Sequence, residues 1–221
     1  MEIINITNFL LINLALFTGS FFLLSNFQKN KDTSISRTVL SIITIYFSLI
    51  VLIEISLGIL EKLNFLNVST LSYLFFAFSY FLSRKNIAGF YRQIKTRDNN
   101  SKQEKKSAFI LLFFIPIGIV LFLRFFNAFL QVPLEYDAMV YHLPIVTEWL
   151  KTGSLLNIYY SAFAGPLAYY PSNFDLFYLW SILPFHNDFL INLLNLPLLA
   201  LLGFIVYNIV RNFSASKNAS A

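Results

Sequence analysis

The chain contains no cysteine, which excludes a disulfide framework, a thiolate metal site and a cysteine nucleophile. Charge is also scarce, since Asp, Glu, Lys and Arg make up 12% of its 221 residues, and histidine and tryptophan occur only twice each. Apolar side chains take their place: 57% of the residues are hydrophobic and the mean hydropathy is +0.66. A soluble globular domain does not have this balance. The composition predicts an all-α integral membrane protein.

Apolar runs long enough to cross about 30 Å of hydrocarbon, which takes roughly 20 helical residues, occur at 3–27, 38–60, 64–83, 108–130 and 189–210. They predict five transmembrane helices. The first lacks a basic leader and a small-residue cleavage site, and reads as a retained anchor. The net charge of +5 could suggest a nucleic-acid partner, but the basic residues are placed for a different purpose. Lys29, Lys31 and Arg37, the eight basic residues of 84–107, and Arg211 and Lys217 account for thirteen of the sixteen, all in segments on one side of the predicted spans. The positive-inside rule makes that side cytoplasmic, so both the N-terminus and the segment 131–188 face outward. The excess charge is topological, no nucleic acid is expected, and the run at 84–107 reads as a solvated cytoplasmic loop.

The segment 131–188 is the only sizeable non-spanning stretch, and it carries both tryptophans, both histidines and seven of the twelve tyrosines. Aromatic rings with polar tips suit the lipid–water boundary, and that accounts for most of them. Stacking on a sugar ring is the sharper role for one or two, with Tyr170 the chosen candidate. Pro144 at a first turn and Gly153 as a stop predict a short helix over "PIVTEWLKTG". Its apolar face is Ile145, Val146, Trp149 and Leu150, as expected of a helix lying on the membrane surface. Ser172 and Asp175 have the spacing of a capping box for a second short helix, "FDLFYLWSIL", too short to span and therefore interfacial or re-entrant.

The succession "LRFFNAFLQ", then Asp137 followed by "AMVYHLP", then "EWLKTG", then "YYPSNFDLFYLW" and a further apolar run resembles the first external loop of GT-C superfamily glycosyltransferases. Within that superfamily it is most similar to the bacterial branch related to protein O-mannosyltransferases and aminoarabinose transferase, over about residues 108–211. The resemblance implies an enzyme of the bacterial cytoplasmic membrane that moves a sugar from a polyprenyl-phosphate donor to an acceptor of unknown identity on the outer face. It also implies Asp137 as the catalytic base. The chemistry agrees: an acceptor hydroxyl must lose its proton as it attacks the anomeric carbon, and a carboxylate can take it.

Tyr141, four residues after Asp137, shares its face if the helix extends back that far, and is expected to contact substrate. His142 points elsewhere on an α-helix, and stands either as a polar interfacial residue or as a substrate-binding one. Arg124 and Glu54 are charges within predicted spans, each needing a partner or a path to water. They are expected either to pair with each other or to snorkel separately, and Arg124 is also a candidate for the donor's phosphate. A divalent cation is a candidate cofactor, with Asp137, Glu135 and His142 able to supply some ligands, but no ligand spacing requires one.

Two positions depart from the mannosyltransferase pattern: Ala138 stands where an acidic residue follows the aspartate, and Pro171–Ser172 stand for a Pro-Pro element. Family members also have about ten or more spans, so the chain is expected to be the N-terminal portion of a longer enzyme, with a reduced homologue working with a partner as the alternative. Residues 1–107 then form an added three-helix module before a GT-C-like part at 108–221. The rival class is a non-catalytic membrane protein, such as a polysaccharide export, flippase or polymerase component. A transporter is weaker, because the spans show no internal repeat.

Overall fold

A computed structural model of the chain describes residues 2–27, 35–101, 118–127, 130, 137–156 and 173–218. Every regular element among these residues is helical: α1 (Glu2–Phe27), α2 (Ile35–Ile59), α3 (Phe65–Ser83), α4 (Ile87–Ser101), α5 (Gly118–Asn127), a π-helical turn (Ala138–His142), α6 (Leu143–Thr152), α7 (Asp175–Ile182), a 3-10 turn (Ile191–Leu194) and α8 (Asn195–Asn218). Four stretches are long and apolar enough to cross a membrane: Ile4–Phe27, Ile35–Ile59, Phe65–Ser83 and Ile191–Val210. They coincide with four of the five expected spans. Of the fifth, at 108–130, only α5 and Leu130 are described, and α5 alone is short for a crossing.

The bundle begins with α1 and α3, which lie parallel. Asn8 Nδ2 donates to Ser69 Oγ at 3.0 Å near one end, and Asn26 Nδ2 to Ser83 Oγ at 2.7 Å near the other. Small side chains let the two backbones approach. Ser20, Ser72, Ser79 and Ser83 are fully buried, and a Cβ on Gly19 would stand 3.2 Å from the Phe75 ring. Ser20 and Ser72 donate to the carbonyls of Leu16 and Val68 one turn back, satisfying their own hydroxyls within the helix. The third helix, α2, packs against both.

The expected solvated loop after α3 starts as a helix instead. Phe90 of α4 is buried against Leu24 and Ile42, so an apolar contact holds α4 to the ends of α1 and α2. At the opposite end of the bundle lies the α2–α3 turn, and there the chain after α6 docks. Leu63 N–H donates to the Gly153 carbonyl at 3.0 Å, and Leu155 N–H to the Gly58 carbonyl at 3.1 Å. Gly153 ends α6 in the left-handed region, φ 67°, with its N–H bonded to the Trp149 carbonyl at 2.8 Å. A Cβ on Gly58 would lie 2.2 Å from Leu155 Cγ. Only glycine lets this loop close on α2.

Helix α7 is set deeper. Asn13, near the middle of α1, accepts through Oδ1 from the Tyr46 hydroxyl of α2 and from Trp180 Nε1 of α7 at 3.1 Å. Its own Nδ2 donates to the Phe9 carbonyl, so a single amide joins three helices with its oxygen and one donor engaged. Phe177 packs edge-on against Phe47, mid-way along α2, while Pro184 offers its carbonyl to Asn5 near the start of α1. Helix α7 therefore starts beside the middle of the bundle and climbs toward the α2–α3 end.

The apolar face read from the sequence for α6 is correct: Ile145, Val146 and Trp149 are buried, while Thr147, Lys151 and Thr152 are exposed. The expected setting is not. That face packs into one cluster with Ile50, Ile53, Leu57 and Leu179 rather than standing free to lie on lipid. Of the two alternatives for Glu54 and Arg124, the structure shows no pair between them among the described residues. Glu54 is fully buried on the core face of α2 with no hydrogen-bond partner for either carboxylate oxygen among the described residues, and Arg124 is exposed on α5.

Two stability measurements follow. Gly153→Ala forces a side chain into left-handed backbone beside the Glu61 and Leu63 carbonyls and should lower stability by about 1–2 kcal/mol, read as a lower melting temperature in detergent. Glu54→Met removes an unpartnered polar group at similar volume and should raise stability by about 1–3 kcal/mol. A lower melting temperature for Glu54→Met would mean that the carboxyl holds a partner of its own.

Candidate functional site

The helix does extend back to Asp137, but its turn is not an α-turn. Leu143 N–H bonds the Ala138 carbonyl, an i→i+5 step, across the π-helical residues 138–142. Such wide single turns inside α-helices are uncommon and concentrate at functional sites. Their register changes which residues align. In an α-helix a residue stacks over the one four positions on; in an i→i+5 turn the stacking extends to the fifth. The wider turn sets the His142 backbone nearer the Asp137 face than an α-turn would, while its ring is directed at Asp175 of α7.

His142 Nδ1 lies 2.6 Å from Asp175 Oδ1. The imidazole side chain is 27% exposed and the carboxylate 1%. A buried carboxylate needs a strong partner, and here the ring of another helix supplies it. The contact ties the N-terminal ends of α6 and α7 together, so the two short helices run side by side in the same direction. It also orients the ring: with Nδ1 directed at Asp175, Nε2 is the atom left for a ligand. Asp175 was expected to close a capping box with Ser172. Instead α7 begins at Asp175 with Phe174 before it and no side-chain cap, and Ser172 lies outside the described residues.

Aromatic rings surround the pair. The Tyr141 and His142 rings are 4.1 Å apart between centroids, Tyr178 meets His142 edge-on at 6.1 Å, and Phe174 stands at 5.0 Å from Tyr178. Asp137 is exposed, and its side chain makes no capping hydrogen bond at the helix start. The arrangement therefore presents an open carboxylate, a tyrosine, and an imidazole oriented by a buried carboxylate, all on or against one turn of chain. It can accept a proton at Asp137 and offer a hydrogen bond or a second proton-accepting nitrogen at His142.

The other expected site residues are not gathered here. Arg124 is exposed on α5, and no ion pair joins it to Asp137 among the described residues. Tyr170 and Glu135 lie outside the described residues, as do Pro171 and Ser172. Among the described residues no three acidic or histidine side chains converge on a point where a metal ion could sit. Asp175 is the residue that sequence reasoning missed. A signal for it existed: a lone carboxylate in "FDLFYLW" is surrounded by apolar neighbours, and burying such a helix obliges the acid to find a polar partner from elsewhere in the chain.

The pair can be tested by a double-mutant cycle on thermal unfolding. His142→Ala and Asp175→Ala should each lower stability, and the coupling between them should be about 1–3 kcal/mol, as expected of a hydrogen bond to a charged group. Additive effects would mean that the contact carries no energy. No family model, curated protein or solved structure matches this chain, so a functional reading rests on the residues themselves.

Proposed function

We propose that the chain is a membrane glycosyltransferase of GT-C type, or the N-terminal portion of one. It transfers a sugar from a polyprenyl-phosphate donor to an acceptor on the outer face of a bacterial cytoplasmic membrane. The observation that carries this reading is the exposed Asp137 at the head of a π-helical turn whose far end is the Asp175-held His142. The four long apolar helices support the membrane setting, and the one-sided distribution of lysine and arginine supports an external N-terminus and an external 131–188 segment.

In this reading Asp137 is the general base. The acceptor oxygen forms its bond to the anomeric carbon as the bond from that carbon to the phosphate oxygen breaks. The acceptor's proton passes to the Asp137 carboxylate and the electron pair leaves with the phosphate. The leaving phosphate gathers negative charge and needs a cation or donor near it. Arg124 is assigned to that charge, and Nε2 of His142 to a hydrogen bond with substrate. Tyr141 positions the acceptor, and Tyr170 stacks on the sugar.

The decisive assay uses the purified chain in bilayers with a radiolabelled polyprenyl-phosphate sugar and lipid extract as acceptor source. Asp137→Asn should reduce transfer by about 10²- to 10⁴-fold, the usual contribution of a positioned general base. Transfer at a near wild-type rate in that variant would remove Asp137 from the role. If the wild-type chain neither transfers the sugar nor is protected from labelling by the donor, the non-catalytic export or flippase reading takes over.

A further inference from the structure

A second feature lies on the other flank of α6. Between α6 and the chain leaving α7 there is a cavity of about 560 Å³, within the range of small-molecule sites. One wall is apolar, made by Leu143, Leu150 and Ile182. The rest is polar: Thr147 and Lys151 from α6, and His186, Asn187 and Asp188 from the turn after α7. Lys151 sits roughly two and a half helical turns from His142, about 13 Å along the axis, so the charged end of the groove lies away from the Asp137 turn, while Leu143 at its near end directly follows His142.

Its polar groups are set for a ligand rather than for each other. Lys151 and Asp188 border the same cavity without forming an ion pair, and neither their side chains nor the His186 ring has a hydrogen-bond partner among the described residues. Thr147 gives its hydroxyl proton to the Leu143 carbonyl, which leaves its oxygen able to accept. Asn187 Oδ1 accepts from Phe189 N–H, which leaves its amide hydrogens able to donate. His186 holds a left-handed backbone, φ 50°, with its N–H bonded to the Ile182 carbonyl at 2.7 Å, so the turn is shaped tightly where it presents the ring.

We infer that this groove binds a phosphorylated sugar, with Lys151 on the phosphate, Asp188 accepting from ring hydroxyls, Asn187 donating to them, and the apolar wall against the ring's C–H face. The mixture of donors and acceptors matches a polyol, whose hydroxyls do both. The unpaired ammonium calls for an anion, and the nearby carboxylate disfavours a bare one carrying no hydroxyls to satisfy it. The ligand can come as a free sugar phosphate or as the headgroup of a glycosylated lipid phosphate. Binding here is independent of transfer at Asp137.

The absence of native cysteine makes a clean test available. A single cysteine placed by Thr147→Cys, in the full chain in nanodiscs, reports the groove through its rate of maleimide labelling; Thr152→Cys, exposed on α6 and outside the cavity lining, is the control. Glucose 1-phosphate should slow labelling at position 147 and leave position 152 unchanged, while inorganic phosphate at the same concentration should protect far less. Adding Lys151→Gln should weaken the protecting affinity by about tenfold, and adding Asp188→Asn should narrow the gap between glucose 1-phosphate and inorganic phosphate. Nanodiscs containing phosphatidylinositol, compared with phosphatidylglycerol, distinguish the sources: protection by the inositol lipid alone assigns a headgroup, and its absence assigns the soluble ligand. Protection that survives Lys151→Gln, equal protection by inorganic phosphate, or no protection by any probe would overturn the proposal, whatever the transfer assay gives.

Discussion

Inside a bundle this apolar, a polar atom has no water to fall back on, and the fold is organised by where each one finds a partner. Asn13 is the clearest case. Its side chain bonds Tyr46, Trp180 and the Phe9 carbonyl, and in doing so it fixes the depth of α7 against α1 and α2. The serines and asparagines between α1 and α3 do the same for that pair at both ends. Apolar packing makes the bundle hold together, but it is nearly indifferent to sliding. Hydrogen bonds are directional, and they set the register.

The site inherits its geometry from that register. Because α7 starts beside the middle of α2, Asp175 enters the interior at its first residue, where a carboxylate cannot stay alone. His142 answers it, and α6 is thereby drawn in alongside α7. Closure of Gly153 and Leu155 on the α2–α3 turn anchors the other end of α6. Asp137 is left at the outer rim of a turn whose opposite side is held from two directions. In the proposed role of general base, Asp137 would have to be reached by substrate yet held in place, and it meets both conditions. Glu54 and Ser79 depart from the pairing rule, each buried with no partner for its side-chain oxygen among the described residues.

Much of the architecture was legible in the residues. Four of the long apolar runs are helices of the expected extent, and Pro144 and Gly153 bracket α6 because each residue's backbone preference is local and nearly independent of the fold. The amphipathic split of α6 was equally readable, since it depends only on helical period. What covers its apolar face was not, because an amphipathic helix looks the same whether lipid or protein lies beneath it. The α4 helix escaped notice for a related reason: its apolar contact through Phe90 and Ile94 is swamped by a surrounding run of charge. Whether Glu54 and Arg124 pair was not legible either, because similar depth along two helices says nothing about whether they adjoin.

By itself the sequence determined an all-helical chain with four long apolar helices, the start and stop of α6, and the identity of Asp137 as a carboxylate beside a tyrosine and a histidine. These follow from composition, period and local backbone preference, which need no knowledge of neighbours. Only the tertiary structure decided that His142 serves Asp175, that the turn between Asp137 and His142 widens to an i→i+5 step, and that Lys151 and Asp188 border one open groove. Each of these joins residues from different helices or alters the count of residues per turn. The relative placement of helices is set by packing and hydrogen bonds between distant parts of the chain, and no local pattern records it.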